Sequence, residues 1–204
     1  MIKPKKIAII DTGVLRNFFS LGKLNYLNLF YDTVLLPISV EREFLSNQLP
    51  PQELENRFDF IFGFFKSNSN WFERCNLYSE EEFQIYLADF KPEEKKLGIG
   101  EAEVFCQFTH TQGIAEILID DLKAYNFGKS LSASVKRTLY FLTELDHNNI
   151  LDYFESCKIL KNSGTRISHE VILKAFSSSY ESRGFPVPYD RIPFWCRVSN
   201  MIEP

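Results

Sequence analysis

Acidic side chains carry the chemistry this sequence offers. Asp11, Glu43, Glu101 and the adjacent pair Asp120-Asp121 occupy four places far apart along 204 residues, yet each sits where an apolar run stops or a helical period begins. Carboxylates do not gather without cause. Two of them ~4 Å apart repel by roughly 4 kcal/mol at an effective dielectric of 20, against a total folding stability of only ~5–15 kcal/mol. A cluster is tolerable when a hard divalent cation neutralises it or when protons are taken up. Mg²⁺ or Mn²⁺ prefers oxygen ligands, retains waters and can polarise a phosphate or generate hydroxide. An acidic set without histidine therefore points to metal-assisted phosphodiester chemistry, provided the fold makes the acids converge. Each acid also has a plain structural reading. A strand-end Asp is commonly a turn or N-cap residue, Glu101 suits a helix N-terminus, and Asp120-Asp121 suits the cap of a following helix.

The elements that must position these acids read as alternating strands and helices. Ile7–Ile10 is a continuous apolar run, as in a buried strand, and it ends at Asp11. A helical period from Val14 to Phe30, interrupted at Gly22, is followed by a second strand at Thr33–Leu36, stopped by Pro37. Ser39 is placed to cap a helix carrying Val40, Glu43 and Phe44. Pro51 suits the first turn of a helix to about Lys66 with Phe58, Ile61, Phe62 and Phe65 on one face, read as core or as a dimer groove. Trp71–Leu77 is a short strand candidate, and Ser79 with Glu82 has the spacing of a capping box. Residues from about 50 to 95 thus read as a helical insertion or cap.

Gly98-Ile-Gly100 leads to Glu101 and a helix ended by Gly113, and Ile114–Ile119 is a strand ending at Asp120-Asp121. Helical periods follow at roughly 138–147, 149–162 and 168–180, and 184–204 reads as an extended tail rich in proline and aromatics. This order predicts an α/β fold with a mainly parallel sheet in a single domain over 1–183. In such a sheet the carboxyl ends of the strands share one side, where Asp11 and Asp121 would meet if their strands are neighbours.

Composition limits the function classes. Hydrophobic residues make up 45% and charged residues 25%, with 20 Phe, and the net charge of −4 provides no global basic field for nucleic acid. Any such partner is held locally, with Lys95, Lys96, Lys123, Lys129, Lys136 and Arg137 as candidate phosphate contacts. Cys75, Cys106, Cys157 and Cys196 form no C-x-x-C pair, which gives no zinc signature and suits buried thiols in a reducing cytosol. His110, His147 and His169 lack ligand spacing and read as surface or cap residues. The run Ile7–Ile10 is too short for a signal peptide or a membrane span, so a cytoplasmic protein without membrane contact is expected.

The acids and their neighbours resemble the motifs of PIN-domain nucleases. Ile-Ala-Ile-Ile-Asp11-Thr-Gly-Val-Leu15 is similar to that family's opening apolar-D-T-N/S-x-L strand, and Pro37-Ile-Ser-Val40-Glu-Arg-Glu43 to its P-x-x-V-x-x-E segment. Gly98-Ile-Gly-Glu101-Ala-Glu103 resembles its G-E-A-E variant, and Ile117-Leu-Ile-Asp120-Asp121 its final acidic strand end. Together they span about residues 5–127, and the later helices resemble those of longer members, including relatives of VapC toxins.

The resemblance implies an α/β/α sandwich in which Asp11, Glu101 and Asp121 hold Mg²⁺ or Mn²⁺ and water hydrolyses RNA. Glu43 would orient the water or complete the coordination, Asp120 would support the site, and Glu103 would point away from it. An antitoxin and a second copy of the chain are the partners it suggests. Gly13 departs from the usual Asn or Ser, Tyr125 from Arg, and Arg137 from Gly. Two rivals stand beside this reading. Phosphotransfer on Asp11, as in haloacid dehalogenase-like hydrolases, calls for a second Asp where Gly13 stands. A catalytically degenerate PIN scaffold binding RNA or protein predicts indifference to Asp121→Asn.

Overall fold

The computed structural model describes residues 5–46, 50–75, 79–90 and 97–197. Strand β1 (Ile7–Ile10) is buried over its last three residues, as a strand covered on both faces must be. The chain turns at Asp11 directly into α1 (Thr12–Leu21). Gly22 ends that helix at φ +63°, and a short 3₁₀ helix (Leu24–Leu29) completes the expected helical stretch. Strand β2 (Thr33–Pro37) is buried throughout and pairs in parallel with β1.

Helix α2 (Ile38–Phe44) starts without a loop, and its cap corrects the sequence reading. Ser39 does not cap it. The Ser39 N–H donates instead to Glu103 Oε2 at 2.5 Å, a carboxylate 64 residues later that lies buried at 2% exposure. Glu103 thereby caps α2 from a different helix, and burial raises its pKa although the Ser39 and Ile38 donors oppose the rise.

Helix α3 (Pro51–Asn68) has proline at its first position and leads to β3 (Phe72–Cys75), which pairs in parallel with β2. The short strand expected within Trp71–Leu77 is thus present as Phe72–Cys75 and joins the sheet. Phe58 and Phe62 are not core: they are 47% and 53% exposed and stack on one another at 4.7 Å. Helix α4 (Glu80–Phe90) opens with the reciprocal Ser79–Glu82 bonds of a capping box. Lys95 and Lys96 lie outside the described residues.

Helix α5 (Ile99–His110) stops before Gly113 at φ +73°, and β4 (Glu116–Leu118) then pairs with the free side of β1. Helix α6 (Leu122–Ser130) follows, capped by Asp121 as the acid pair suggested, and the two-residue strand β5 (Val135–Lys136), parallel to β4, is an element the sequence did not indicate. Gly128 makes their packing possible, because a Cβ there would stand 2.7 Å from Val135 and 3.2 Å from Phe105.

The sheet order is β3-β2-β1-β4-β5, all parallel, flanked by helices as an α/β/α sandwich. From β1 the chain winds outward through β2 and β3, then crosses back to place β4 on the other side of β1. Winding reverses between β1 and β4, and a crevice opens outside the carboxyl ends of strands at such a point. Ile10 pairs with Leu118, so Asp11 and the Asp120-Asp121 pair leave neighbouring strands on the same side.

Two compact units are present. One takes the described residues up to Phe18 and from Lys23 to Lys136, and contains the sheet; the other takes Phe19–Gly22 and the described residues from Arg137. The second unit holds α7 (Thr138–His147), α8 (Tyr153–Asn162) and α9 (His169–Glu181) around Leu142, Tyr153, Cys157 and Phe176. The tail is not simply extended here. Pro188 and Pro193 precede one-turn helices at Tyr189–Arg191 and Phe194–Cys196, which bury Ile192 and Cys196 in the same core. All four cysteines are buried free thiols. No helix among the described residues is long and apolar enough to cross a membrane.

Candidate active site

Three helix N-termini converge where β1 and β4 end, and an acid secures each of them. Asp11 Oδ1 accepts from the Val14 N–H of α1 at 2.7 Å, and Asp121, the N-cap of α6, accepts from the Ala124 N–H at 2.9 Å. Glu101, in the first turn of α5, accepts from the Gly98 N–H. The structural reading of these acids, as residues that secure helix starts, thus holds for all three. One oxygen of each carboxylate is fixed on a backbone donor, which sets the rotamer, and the positive ends of the helix dipoles offset part of the repulsion.

Glu43 reaches the same place from α2 and is held by a side chain: Thr12 Oγ1 donates to its Oε2 at 2.9 Å. Gly100 allows this approach, because a Cβ there would stand 2.8 Å from Glu43 Oε2. Asp11, Glu43, Glu101 and Asp121 line one open cleft of about 190 Å³ together with Thr12, Gly13 and Arg16. Asp120 does not line it. Its Oδ2 accepts from Asn17 Nδ2 at 2.8 Å, while its N–H reaches Asp11 Oδ2 at 3.3 Å.

The electrostatics follow from this crowding. Burial, and after it the Asp120 charge, hold the Asp11 carboxyl well above the usual carboxylate range, against the opposing pull of the Val14 and Asp120 N–H groups. Glu101 is also raised, chiefly by burial, with Asp121 and Glu43 adding to the effect and Gly98 and Lys123 opposing it. The cleft therefore stores repulsion that a cation would relieve. All four carboxylates offer oxygen donors, the set that suits Mg²⁺ or Mn²⁺. Among the described residues, no group of three His, Cys, Asp or Glu side chains is drawn together tightly enough to hold an ion as placed.

Thr12, Arg16 and Asn17 were not identified from sequence. A signal for them existed: Thr12 and Arg16 are one helical turn apart and follow directly on Asp11, as Gly13 and Asn17 do. Gly13 stands where the resemblance expects an amide or hydroxyl, and a Cβ there would lie 3.3 Å from both Asp11 and Asp120. Asn17 brings an amide to Asp120 from one turn further along α1. Of the basic candidates, Lys136 pairs with Glu116 at 3.3 Å and Lys129 lies over the Tyr125 ring. Lys123 is exposed and near enough to Glu101 to lower its pKa. His147 bonds Ser179 and His169 meets the edge of Trp195, both contacts within the second unit.

A family model described as a PIN domain matches residues 7–181. No curated protein matches the chain.

Proposed function

The chain belongs to the PIN-domain family, a nuclease fold that is generally metal-dependent, and from that premise we propose that it is a Mg²⁺- or Mn²⁺-dependent endoribonuclease. The observation that carries the reading is the cleft itself, with three carboxylates from helix starts and a fourth, Glu43, from the last turn of α2. Asp11, Glu101 and Asp121 would hold the cation, with Glu43 completing the set. Bound there, the ion would supply Lewis-acid polarisation of a phosphate and lower the pKa of a nucleophilic water.

The chain's own residues do the rest. Glu101 and Asp121 each keep one oxygen on a backbone donor, and Asp11 is held through both of its oxygens, by the Val14 and Asp120 N–H groups, which fixes all three carboxylates at the cleft. The N–H groups of the same helix starts favour an anion beside them. Glu43, steadied by the Thr12 hydroxyl, orients the attacking water. Asn17 fixes Asp120, whose N–H in turn supports Asp11.

Gly100→Ala tests the seating of Glu43. The new methyl would press on the end of a flexible side chain, so the fold should survive with a melting shift within about 2 °C. Displacing Glu43 should weaken Mn²⁺ binding about tenfold, as read by titrating the metal against thermal unfolding.

The nuclease reading is tested by incubating the full chain and its Asp121→Asn variant with total RNA and Mn²⁺. Cleavage by the wild type that falls about 10³-fold in the variant is expected. Equal cleavage by both would point to a contaminant or another site. The degenerate-scaffold reading draws on Gly13, and it predicts RNA or protein binding that is indifferent to Asp121→Asn. A toxin role with an antitoxin partner is the finer reading taken from the VapC-like resemblance. It predicts growth arrest on expression, lost in Asp121→Asn.

A further inference from the structure

Arg16 is a cation set into an acidic cleft, and its bonds do not account for it. Its side chain is 43% exposed, and the nearest carboxylate contact, NH2 to Glu43 Oε1, is 4.0 Å, at the limit of an ion pair. NH2 also donates to the Glu43 carbonyl at 3.3 Å, a long bond. Nε is sealed from solvent and has no hydrogen-bond partner. A guanidinium has five N–H donors in a planar fork. An arginine placed only to neutralise Glu43 would present two of them side by side to the carboxylate, as Arg74 does to Glu41 with bonds of 2.8 and 2.6 Å.

The charge of the cleft supplies the complementary argument. Four ionised carboxylates outweigh one divalent cation by two charges, so a phosphodiester entering the loaded cleft still meets a net negative field. Among the described residues, Arg16 is the only cationic side chain that lines the cleft. We infer that Arg16 is the substrate-phosphate contact of this site, releasing its weak hold on Glu43 and presenting Nε and NH2 as a fork to a phosphate of the bound RNA strand. The inference rests on the nuclease reading and adds to it a specific role in binding the substrate. It also explains why Nε is left without an acceptor in the free protein.

The two ligands should respond to Arg16 with opposite signs, which a merely structural role would not produce. Removing a positive charge beside Glu43 leaves Mn²⁺ affinity equal or tighter, while removing a phosphate contact weakens RNA. The test measures anisotropy of a labelled mixed-sequence single-stranded RNA with the unaltered chain and with its Arg16→Gln and Arg16→Lys variants, in Ca²⁺ in place of Mn²⁺. Ca²⁺ is a larger oxygen-seeking ion and weaker Lewis acid that fills the carboxylate site while suppressing cleavage. Salt is varied between about 50 and 200 mM. In parallel, Mn²⁺ is titrated against thermal unfolding of Arg16→Gln in the otherwise unaltered chain.

Arg16→Gln should weaken RNA about tenfold and reduce the salt slope by about one. Arg16→Lys should keep the slope and lose part of the affinity, because a point charge replaces the fork. Unchanged RNA affinity and slope in Arg16→Gln would overturn the assignment and leave the nuclease reading standing. Parallel loss of Mn²⁺ and RNA binding would also overturn it, by showing a structural role. Absence of RNA binding by the unaltered chain in Ca²⁺ would defeat the RNA reading, and the Arg16 assignment with it.

Discussion

Asp11→Asn is expected to abolish cleavage while making the metal-free protein more stable. The loss should be about 10³-fold, corresponding to about 4 kcal/mol of transition-state stabilisation. Stability moves the other way because Asp11 is 4% exposed and sits beside Asp120 and Glu101, so its charge is held at a cost. Asn keeps an oxygen for the Val14 N–H and removes that charge. Without metal the variant should gain about 1 kcal/mol, or about 2–4 °C.

The pH dependence follows from the raised pKa. The folded chain binds the Asp11 proton more tightly than the unfolded chain, so this group's stabilising contribution is complete below the unfolded value near 4 and is lost as pH rises through the folded value. The advantage of Asp11→Asn over wild type should therefore grow as pH is raised through that interval and level off above it. Thermal unfolding in chelator from about pH 4 to about pH 8 measures it. A variant uniformly less stable than wild type would show that Asp11 serves the fold and not a metal.

The second large effect lies in the other unit and concerns stability alone. The Asp146 side chain is 3% exposed and takes bonds of 2.6 and 3.0 Å from Arg191, with a third from the Tyr153 N–H at 3.1 Å. Arg191 also donates to the Tyr180 hydroxyl and lies over the Phe176 ring. Asp146 draws its guanidinium pKa further upward. Arg191→Leu would leave a buried carboxylate with one backbone donor. The cost should be about 3 kcal/mol, or roughly 6–12 °C in melting temperature by calorimetry. Adding Asp146→Leu should recover much of that loss, since the penalty comes from the stranded charge. A single variant that melts like wild type would show that the turn at Tyr189–Arg191 contributes nothing to the second unit.

What could be read from the sequence was governed by local physics. β1 and β2 are unbroken apolar runs, and the breaks at Gly22 and Gly113 rest on positive φ, which glycine adopts freely. Four acids at element boundaries were visible because strands and helices begin and end on recognisable residues. Contacts made across the chain were not visible. Glu103 replaces Ser39 as the cap of α2 over 64 residues, and Arg191 finds Asp146 over 45. β5 has two residues and therefore no periodicity to read. Phe58 and Phe62 lie on a helical apolar face, but periodicity does not say what covers it, and both are largely exposed. Arg16 looked like an ordinary helix residue until Thr12, Glu43 and Asp11 were brought around it.

The most direct test of the acidic metal site is thermal unfolding of the full chain with and without Mn²⁺, beside Asp121→Asn. At 100 times its dissociation constant one bound ion adds ~2.7 kcal/mol, which for a protein of this size is roughly 5–11 °C. The account predicts that shift in the wild type and its loss in Asp121→Asn. No shift in either protein at about millimolar Mn²⁺, or the same shift in both, would contradict it.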